Sequence, residues 1–268
     1  NPIVQDNLKV CERYGMEVIT PATGYLACGD TGAGKMPEPE VLFEYIMREI
    51  AFGKDLAGKR VLVTAGPTRE SIDPVRFITN RSTGKMGYAV ARAAAYRGAR
   101  VTLVTGPVNL KPPMFVDVVP VESAREMFEA VTLRSGEMDM IVKSAAVADY
   151  RPGTVGEEKI KKSDGDMSIA LERTDDILGW LGSHRREGQI LCGFSMETQN
   201  MLENSAAKLE KKHADMIVAN NLKVSGAGFG TDTNVVTFIT KDGAEELPIL
   251  TKDEVAHRLL DRLLKLRR

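Results

Sequence analysis

The sequence predicts an α/β fold: a Rossmann-like, doubly wound, mostly parallel sheet covered by helices on both faces, with a β-hairpin near the C-terminus. Two observations predict it. Beyond residue 58, short apolar segments alternate with helix-like segments, which is typical of a parallel sheet. Near the end, two strand-like segments, 235–240 and 246–250, flank a turn at 241–243.

The individual elements follow from the same patterns. Apolar segments predict strands at 61–64, 101–105, 117–121, 139–144, 190–194 and 216–219. The segments between them predict helices at 85–97, 123–133, 175–185, 200–212 and 253–266. A sheet of this kind binds its ligands at the carboxyl ends of its strands.

A change of composition near residues 53–58 predicts two parts, 1–57 and 58–268. The leading part contains a helix from about residue 38 to 52, which follows two prolines as helix starts often do. It also contains a Gly-rich stretch, 24–34, which is predicted as a flexible loop. This part is too short to hold a core of its own.

Composition excludes several classes of protein. The 268 residues include 36 basic and 37 acidic ones, which argues against a general nucleic-acid or membrane surface. Cys11, Cys28 and Cys192 form no CxxC pair, which fits a reducing cytoplasm rather than a disulfide framework. No apolar run approaches membrane-spanning length. The chain starts with Asn-Pro and no Met, so we expect a fragment of a longer protein.

Residues 80–87 (Asn-Arg-Ser-Thr-Gly-Lys-Met-Gly) are the most informative segment. They open the predicted helix 85–97, and free N–H groups and the helix dipole attract phosphate at such a start. The alternative is that Gly84 and Gly87 only let the helix pack closely on the sheet. The polar side chains gathered there favour a ligand site: Asn80, Arg81, Ser82, Thr83 and Lys85.

A dinucleotide is not the predicted ligand of this segment. A dinucleotide site places Asp or Glu at the end of the second strand to bind a ribose, whereas strand 101–105 ends in Thr-Gly-Pro. Residues 29–35 are nearly a P-loop, but Met36 replaces the Ser or Thr that binds Mg²⁺. Prolines also interrupt the helix that should follow, so we predict a Gly-rich flap there instead.

Three further segments are candidates for ligand binding. In 145–151 (Ala-Ala-Val-Ala-Asp-Tyr-Arg), small residues admit a flat base and Asp149 accepts hydrogen bonds, unless Asp149 only caps a helix. The run 157–162 (Glu-Glu-Lys-Ile-Lys-Lys) is either a solvated face or a loop whose lysine neutralises transition-state charge. Lys208 and Lys212 share a predicted helix face, which suits a polyphosphate and a plain surface helix equally.

These segments together carry a family resemblance. They occur in the order AGPTR at 65–69, DPVR at 73–76, NRSTGKMG at 80–87, AAVADYR at 145–151, KIKK at 159–162, GF at 193–194 and AN at 219–220. In this order, residues 58 to 268 resemble phosphopantothenate–cysteine ligase, the synthetase half of the bacterial bifunctional coenzyme A biosynthesis protein. The resemblance implies a ligase domain at 58–268.

The leading segment 1–57 resembles the end of the other half of that protein, the flavin-dependent phosphopantothenoylcysteine decarboxylase. Cys28 stands in the place of the proton-donating cysteine of its active-site flap. The resemblance implies that the FMN-binding portion and its catalytic histidine are absent here, so decarboxylation is not expected from this chain alone.

The resemblance also implies a reaction. CTP activates 4′-phosphopantothenate: the substrate carboxylate attacks the α-phosphate, giving an acyl-cytidylate and pyrophosphate. The amine of L-cysteine then displaces CMP. Mg²⁺ accompanies CTP, and family analogy implies a homodimer; the cytoplasmic location and the absence of nucleic-acid and membrane partners are expected from the composition given above.

The resemblance also implies roles for individual residues of this chain. Lys159 resembles the lysine that assists acyl-cytidylate formation, and Asn80 resembles the asparagine that turns this intermediate over. The implied nucleotide-binding residues are Lys143, Ser144, Ala145, Asp149, Asp175, Asp176, Ile177, Leu178, Phe194, Lys208 and Lys212. The phosphate or substrate cradle comprises Gly66, Ser82, Thr83, Gly84, Lys85 and Met86. No metal ligand is assigned. Lys143, Ser144 and Asp175 differ from the residues that are common in the family at these positions. The resemblance therefore implies backbone contacts with the nucleotide there and no side-chain role.

Two alternatives stay open at this point. One is an NAD(P)-dependent reductase on a similar fold, which the missing ribose-binding acid and the absence of a YxxxK pair at Tyr150 disfavour. The other is a non-catalytic nucleotide-binding module, which would bind CTP without releasing pyrophosphate.

Overall fold

The computed structural model describes residues 1–162, 166–197, 201–221, 228 and 230–266. It forms two compact units, 1–51 and 52–268. Residue 200, the first of the predicted helix 200–212, lies outside the described residues.

The first unit contains two helices and one pair of strands. Its elements are α1 (Pro2–Arg13), β1 (Ala22–Tyr25), β2 (Thr31–Lys35) and α2 (Pro39–Ile46), which continues as a π-helical turn (Met47–Ala51). The loop prediction for 24–34 was wrong, because β1 and β2 form an antiparallel pair there. Residues 1–51 are all described and none is buried, as expected for so short a segment.

The second unit contains the remaining elements. In chain order they are β3 (Arg60–Ala65), β4 (Arg69–Ser71), β5 (Phe77–Thr79), α3 (Lys85–Tyr96), β6 (Arg100–Thr105), β7 (Val116–Pro120), α4 (Ala124–Ser135), β8 (Met140–Lys143), β9 (Tyr150–Pro152), β10 (Leu171–Arg173), α5 (Ile177–His184), β11 (Ile190–Glu197), α6 (Met201–Lys211), β12 (Met216–Asn221), β13 (Thr233–Asn234), β14 (Val236–Thr240), β15 (Gly243–Glu246), β16 (Leu250–Thr251) and α7 (Lys252–Lys265).

The central sheet has eight strands in the order β15-β14-β12-β11-β8-β3-β6-β7. The run from β12 to β7 is parallel, and β14 and β15 extend it as an antiparallel hairpin. The predicted fold class is therefore confirmed. The second hairpin strand begins at Gly243, directly after the turn, and so lies earlier than the predicted segment 246–250.

The order of the strands creates a switch point between β3 and β8. The chain first builds outward from β3 to β6 and β7, then returns to the other side of β3 and continues with β8, β11 and β12. Beyond the strand ends, the Ala146 N–H donates to the Gly66 carbonyl at 2.9 Å. A crevice opens at such a point because the connections leave in opposite directions.

Helices cover both faces of the sheet. Val61 and Val63 pack with residues of α3 and α7, whereas Leu62 packs with residues of α4, α5 and α6. Successive strand residues point to opposite faces, so one apolar strand supplies both cores. Among the described helices, none is long and apolar enough to cross a lipid bilayer.

A close contact between α5 and the end of α6 gives a stability prediction. A Cβ on Gly182 would lie 1.9 Å from the Lys212 carbonyl oxygen. Gly→Ala inside a helix normally stabilises it, but here the methyl group must push the backbone away. We expect Gly182→Ala to lower the free energy of unfolding by roughly 1–3 kcal/mol in urea titrations.

Gly136→Ala is the matched control for this prediction. Gly136 ends α4 with φ −60°, and nothing lies within 4 Å of a Cβ built there. Equal stability of the two variants would contradict the proposed clash.

Candidate functional site

Two cavities lie at the carboxyl ends of the parallel strands. Cavity A has a volume of about 600 Å³ and cavity B of about 420 Å³, both within the range of small-molecule sites. The residues that line both are Lys143, Val147, Asp149, Phe194 and Lys208. The two cavities are therefore neighbours with a common wall.

The first turn of α3 forms one side of cavity A. Gly84 caps the helix in the left-handed region, with φ 79°, and no side chain caps it. A Cβ on Gly87 would lie 2.6 Å from the Ala65 Cβ and 2.9 Å from the Thr64 carbonyl oxygen. The glycines thus let the helix pack on β3, and this packing brings the N–H groups of the first turn to the cavity. The close-packing interpretation of Gly87 is therefore confirmed, whereas the ligand-site interpretation of residues 80–87 stays a prediction.

Asn80 follows β5 and lines cavity A. Its Nδ2 donates to the carbonyl oxygens of Ala146 and Val147 at 3.1 and 3.2 Å. These two bonds fix the orientation of the amide, so Oδ1 is the side-chain atom that can accept a hydrogen bond from a ligand. The contact also ties the end of the β4–β5 hairpin to the segment that follows β8.

Lys85 has a protein partner at the rim of cavity A. Its Nζ donates to Asp232 Oδ1 at 2.7 Å and to the Gly230 carbonyl at 3.1 Å. The second lysine there is Lys252, whose Nζ donates to the carbonyls of Gly228, at 3.0 Å, and Thr231. The two ammonium groups therefore contact Gly228 and residues 230–232 at the rim of the cavity.

Lys208 and Lys212 both line cavity B, as their predicted common helix face requires. Lys208 Nζ donates to the Phe194 carbonyl at 3.3 Å, and Lys212 forms an ion pair with Asp176. Burial alone would raise the pKa of Asp176. The Lys212 ammonium and the Gly179 N–H, which donates at 3.0 Å, lower the pKa below its ordinary value.

Lys143 lies at the wall between the cavities. Its Nζ donates to the Ala145 carbonyl at 3.2 Å. The pKa of this lysine is lowered to about 8, chiefly by burial and also by the nearby Lys208 ammonium, while Asp149 and Asp176 oppose the shift. The boundary between the cavities therefore carries an ammonium group that is poorly solvated.

Most predicted site residues come together at these cavities. Those lining cavity A are Gly66, Asn80, Ser82, Thr83, Gly84, Lys85, Met86, Lys143, Ser144, Ala145, Asp149, Phe194 and Lys208. Those lining cavity B without cavity A are Asp175, Asp176, Ile177, Leu178 and Lys212. Asp149 caps no helix, because the chain continues from it into β9.

Two predicted residues lie elsewhere. Lys159 is exposed in the loop between β9 and β10 and lines neither cavity. Cys28 is exposed in the turn between β1 and β2 of the first unit. Within the described part of the chain, no group of three or more His, Cys, Asp or Glu residues could hold a metal ion.

Sequence reasoning missed several lining residues, of which Lys252 and Asn234 are the clearest. Asn234 Nδ2 donates to Asn220 Oδ1 at 2.9 Å, and both residues line cavity A. Lys252 is the first residue of α7, after the capping box that Thr251 forms with Glu254. The sequence pattern of that capping box predicts where the helix starts. It does not indicate that Lys252 lies at the cavity.

A doubly wound sheet with two cavities at its switch point places this protein in the class of α/β folds, whose ligands typically bind at the carboxyl ends of the strands. The model of the DNA/pantothenate metabolism flavoprotein C-terminal domain matches residues 56–266. The chain belongs to this family.

Individual sequence relatives support this family membership. The coenzyme A biosynthesis bifunctional protein CoaBC of Bacillus subtilis is 48% identical over 267 residues, which are 98% of this chain and 66% of that protein. A cysteine/cysteine sulfinic acid decarboxylase of an unknown prokaryotic organism is 44% identical, over 99% of this chain and 76% of that protein. The chain thus spans about two thirds of the length of its CoaBC relatives.

A solved structure has the same fold. The crystal structure of the C-terminal domain of CoaBC is 51% identical and superposes with a TM-score of 0.68, over 79% of this chain and 98% of that domain. A DNA/pantothenate metabolism flavoprotein from Streptococcus pneumoniae is 25% identical and also gives a TM-score of 0.68.

The environment of Lys143 gives a prediction about pH. The pKa of Lys143 is lower in the folded chain than in the unfolded chain, so its buried charge lowers the free energy of unfolding. This effect is fully present below about pH 8. It disappears as the pH rises towards the unfolded value of about 10.4. We expect Lys143→Met to raise the free energy of unfolding at pH 7 by on the order of 1–3 kcal/mol, and much less at pH 10.

Urea titrations at both pH values measure this difference. Lys111→Met, at an exposed lysine outside both cavities, is the control for the change of side chain. A Lys143→Met variant that is less stable than the wild type at pH 7 would overturn the prediction.

Proposed function

We propose that the unit 52–268 ligates 4′-phosphopantothenate to L-cysteine in coenzyme A biosynthesis, using CTP and passing through an acyl-cytidylate. The observation that carries this proposal is the shared wall of cavities A and B. A ligation through a nucleotidyl intermediate needs two substrates bound side by side, with the reacting groups at the boundary. Family membership and the names of the CoaBC relatives support the same reaction class.

Cavity B is the proposed nucleotide site. Lys208 and Lys212 supply two cations for a triphosphate, and Lys143 adds a third at the wall. A triphosphate has to replace the Asp176 carboxylate and the Phe194 carbonyl as the partners of these lysines. Cavity A, with the first turn of α3, is the proposed site of the acyl substrate.

In the first step, a carboxylate oxygen of the acyl substrate attacks the α-phosphorus, and the bond to the leaving pyrophosphate breaks. Negative charge builds up on the phosphate oxygens, so cations and N–H donors that are already in place lower the barrier. We propose that Lys159 supplies one such cation in this step, as its place in the family motif implies.

In the second step, the neutral cysteine amine attacks the acyl carbon and an amide bond forms, while the acyl C–O bond breaks, CMP leaves and the amine loses one proton to solvent. We propose that Asn80 acts here, because its Nδ2 is held by Ala146 and Val147 and its Oδ1 is thereby oriented to accept a hydrogen bond from the amine. No side-chain nucleophile is needed in either step.

The resemblance implies two cofactors, Mg²⁺ and FMN. The described residues do not fit a protein cage for Mg²⁺, since they contain no cluster of candidate metal ligands. We propose that Mg²⁺ enters as part of the nucleotide substrate, where it would neutralise phosphate charge. FMN belongs to the decarboxylase portion that the resemblance places outside this chain. A homodimer and a cytoplasmic location remain part of the proposal.

Pyrophosphate release tests the proposed function directly. With phosphopantothenate and cysteine present, we expect the chain to release pyrophosphate and CMP from CTP; a parallel reaction with ATP determines the choice of nucleotide. CTP binding without pyrophosphate would favour a non-catalytic module, and NAD(P)H binding would favour a reductase. Release of CO₂ from cysteine would instead favour the activity named for the decarboxylase relative.

Asn80→Asp is expected to stop the reaction after the first step. The change places a carboxylate oxygen against the two carbonyl oxygens that Nδ2 now contacts, at 3.1 and 3.2 Å, so the side chain must turn away. Pyrophosphate should appear once per site while the acyl-cytidylate accumulates, which quenched-flow chromatography measures. The control is Asn109→Asp, at an exposed asparagine outside both cavities. Normal turnover of CTP by Asn80→Asp would exclude this role.

Lys159→Gln is expected to block the first step. The loss of one cation at the transition state should lower the rate of pyrophosphate release by about 10²-fold or more. Lys161→Gln, in the same exposed run, tests whether any lysine there would serve. If both variants formed the intermediate at the wild-type rate, Lys159 would be a surface lysine without a catalytic role.

A further inference from the structure

The loop that carries Lys159 is attached to the rest of the unit next to that residue. Ile160 N–H donates to Asp73 Oδ2 at 3.1 Å, and Arg76 Nη2 donates to the Ile160 carbonyl at 2.9 Å. A second attachment lies four residues earlier, where the Gly156 N–H donates to the Ile72 carbonyl at 2.9 Å. Both polar backbone groups of the residue after Lys159 are thus bound to the turn between β4 and β5.

Asp73 is the centre of this attachment. Its side chain is 0% exposed, although it carries a charge. Oδ1 accepts from the N–H groups of Val75 and Arg76, both at 2.9 Å. Oδ2 accepts from Arg76 Nε at 3.0 Å and Nη2 at 2.5 Å, in addition to Ile160 N–H. One carboxylate therefore organises its own turn and fixes the neighbouring loop.

The surroundings keep this carboxylate ionised. The Arg76 guanidinium holds the pKa of Asp73 well below its ordinary value, against the opposing effect of burial, and the backbone N–H groups add to the lowering. A buried carboxylate with this set of donors has little freedom to move. The carboxylate therefore stays ionised, and keeps its capacity to accept from Ile160 N–H, across the physiological pH range.

The same hairpin also leads to Asn80. β5 ends at Thr79, whose Oγ1 donates to the Thr68 carbonyl at 2.7 Å, and Asn80 follows directly. One end of the hairpin thus places the residue proposed for the second step. Its turn holds the backbone beside Lys159, the residue proposed for the first step.

We propose that Asp73 is the positioning residue for Lys159: its carboxylate, by binding Ile160 N–H, sets where the lysine ammonium meets the nucleotide during acyl-cytidylate formation. This inference rests on the proposed function. Asp73 lines neither cavity, so its effect on the reaction passes through the loop. Misplacing a catalytic group by about 1 Å costs on the order of 10²-fold in rate.

The test uses Asp73→Asn in the full chain and measures the two steps separately. Pyrophosphate release without cysteine reports the first step, and consumption of preformed acyl-cytidylate by cysteine reports the second. We expect the first step to slow by about 10- to 100-fold, with CTP affinity and the second step within about twofold of the wild type. On the Lys159→Gln background, Asp73→Asn should cause no further loss.

Hydrogen exchange gives a readout that does not depend on activity. Amide exchange in the peptide 156–162 should accelerate in Asp73→Asn, because Ile160 N–H loses a charged acceptor. Asp73→Ser is the second variant, since a serine hydroxyl still accepts from the turn but cannot reach both sets of donors. It keeps the test decisive if Asp73→Asn fails to fold.

Asp215→Asn is the matched control. Asp215 Oδ2 also accepts from an arginine, Arg185 at 2.6 Å, and from a backbone N–H, that of Leu191 at 2.8 Å, but it lines neither cavity. We expect this variant to keep wild-type rates in both steps. An Asp73 variant that behaved in the same way, or slowed both steps equally and additively with Lys159→Gln, would overturn the positioning role. A wild-type chain that released no pyrophosphate would overturn the proposed function itself.

Discussion

The close packing of α3 on the end of β3 is the constraint on which the site depends. Gly87 leaves no room for a side chain between the helix and the Thr64 carbonyl. Thr64 Oγ1 also accepts from the Ala145 N–H at 3.1 Å, which joins the ends of the two strands at the switch point. Because the helix start, β3 and the segment after β8 meet there, backbone N–H groups, Asn80 and Lys143 line one cavity.

The cations of the site are held by protein acceptors. Lys85 pairs with Asp232, Lys212 pairs with Asp176, and Lys143 donates to a backbone carbonyl. These contacts keep the ammonium groups ordered and limit their mutual repulsion. The proposed nucleotide would have to exchange its phosphates with these contacts, so its affinity would reflect the difference between two sets of contacts and not their sum. The Asp73 attachment is different, because Asp73, Arg76 and Ile160 line neither cavity.

The long apolar strands were predictable because a parallel sheet buries both faces of each strand, as Val61 to Val63 show. The short pairs β4–β5 and β9–β10 were not, since strands of three residues are too short to show a periodic pattern. Asn80 was found because it lies just before a predicted helix start, and Asp149 because it follows the predicted strand 139–144. Lys252 was missed because its proximity to cavity A depends on how α7 packs.

The sequence by itself determined the fold class, the helix start at 85–87 and the residue types available for a ligand. It could do so because burial and capping leave periodic, local patterns. The tertiary structure alone decided that Asn80 donates to two carbonyls, that Lys85 pairs with Asp232, and that Asp73 holds Ile160, 87 residues away. Such contacts join distant segments through packing, and no local pattern records them.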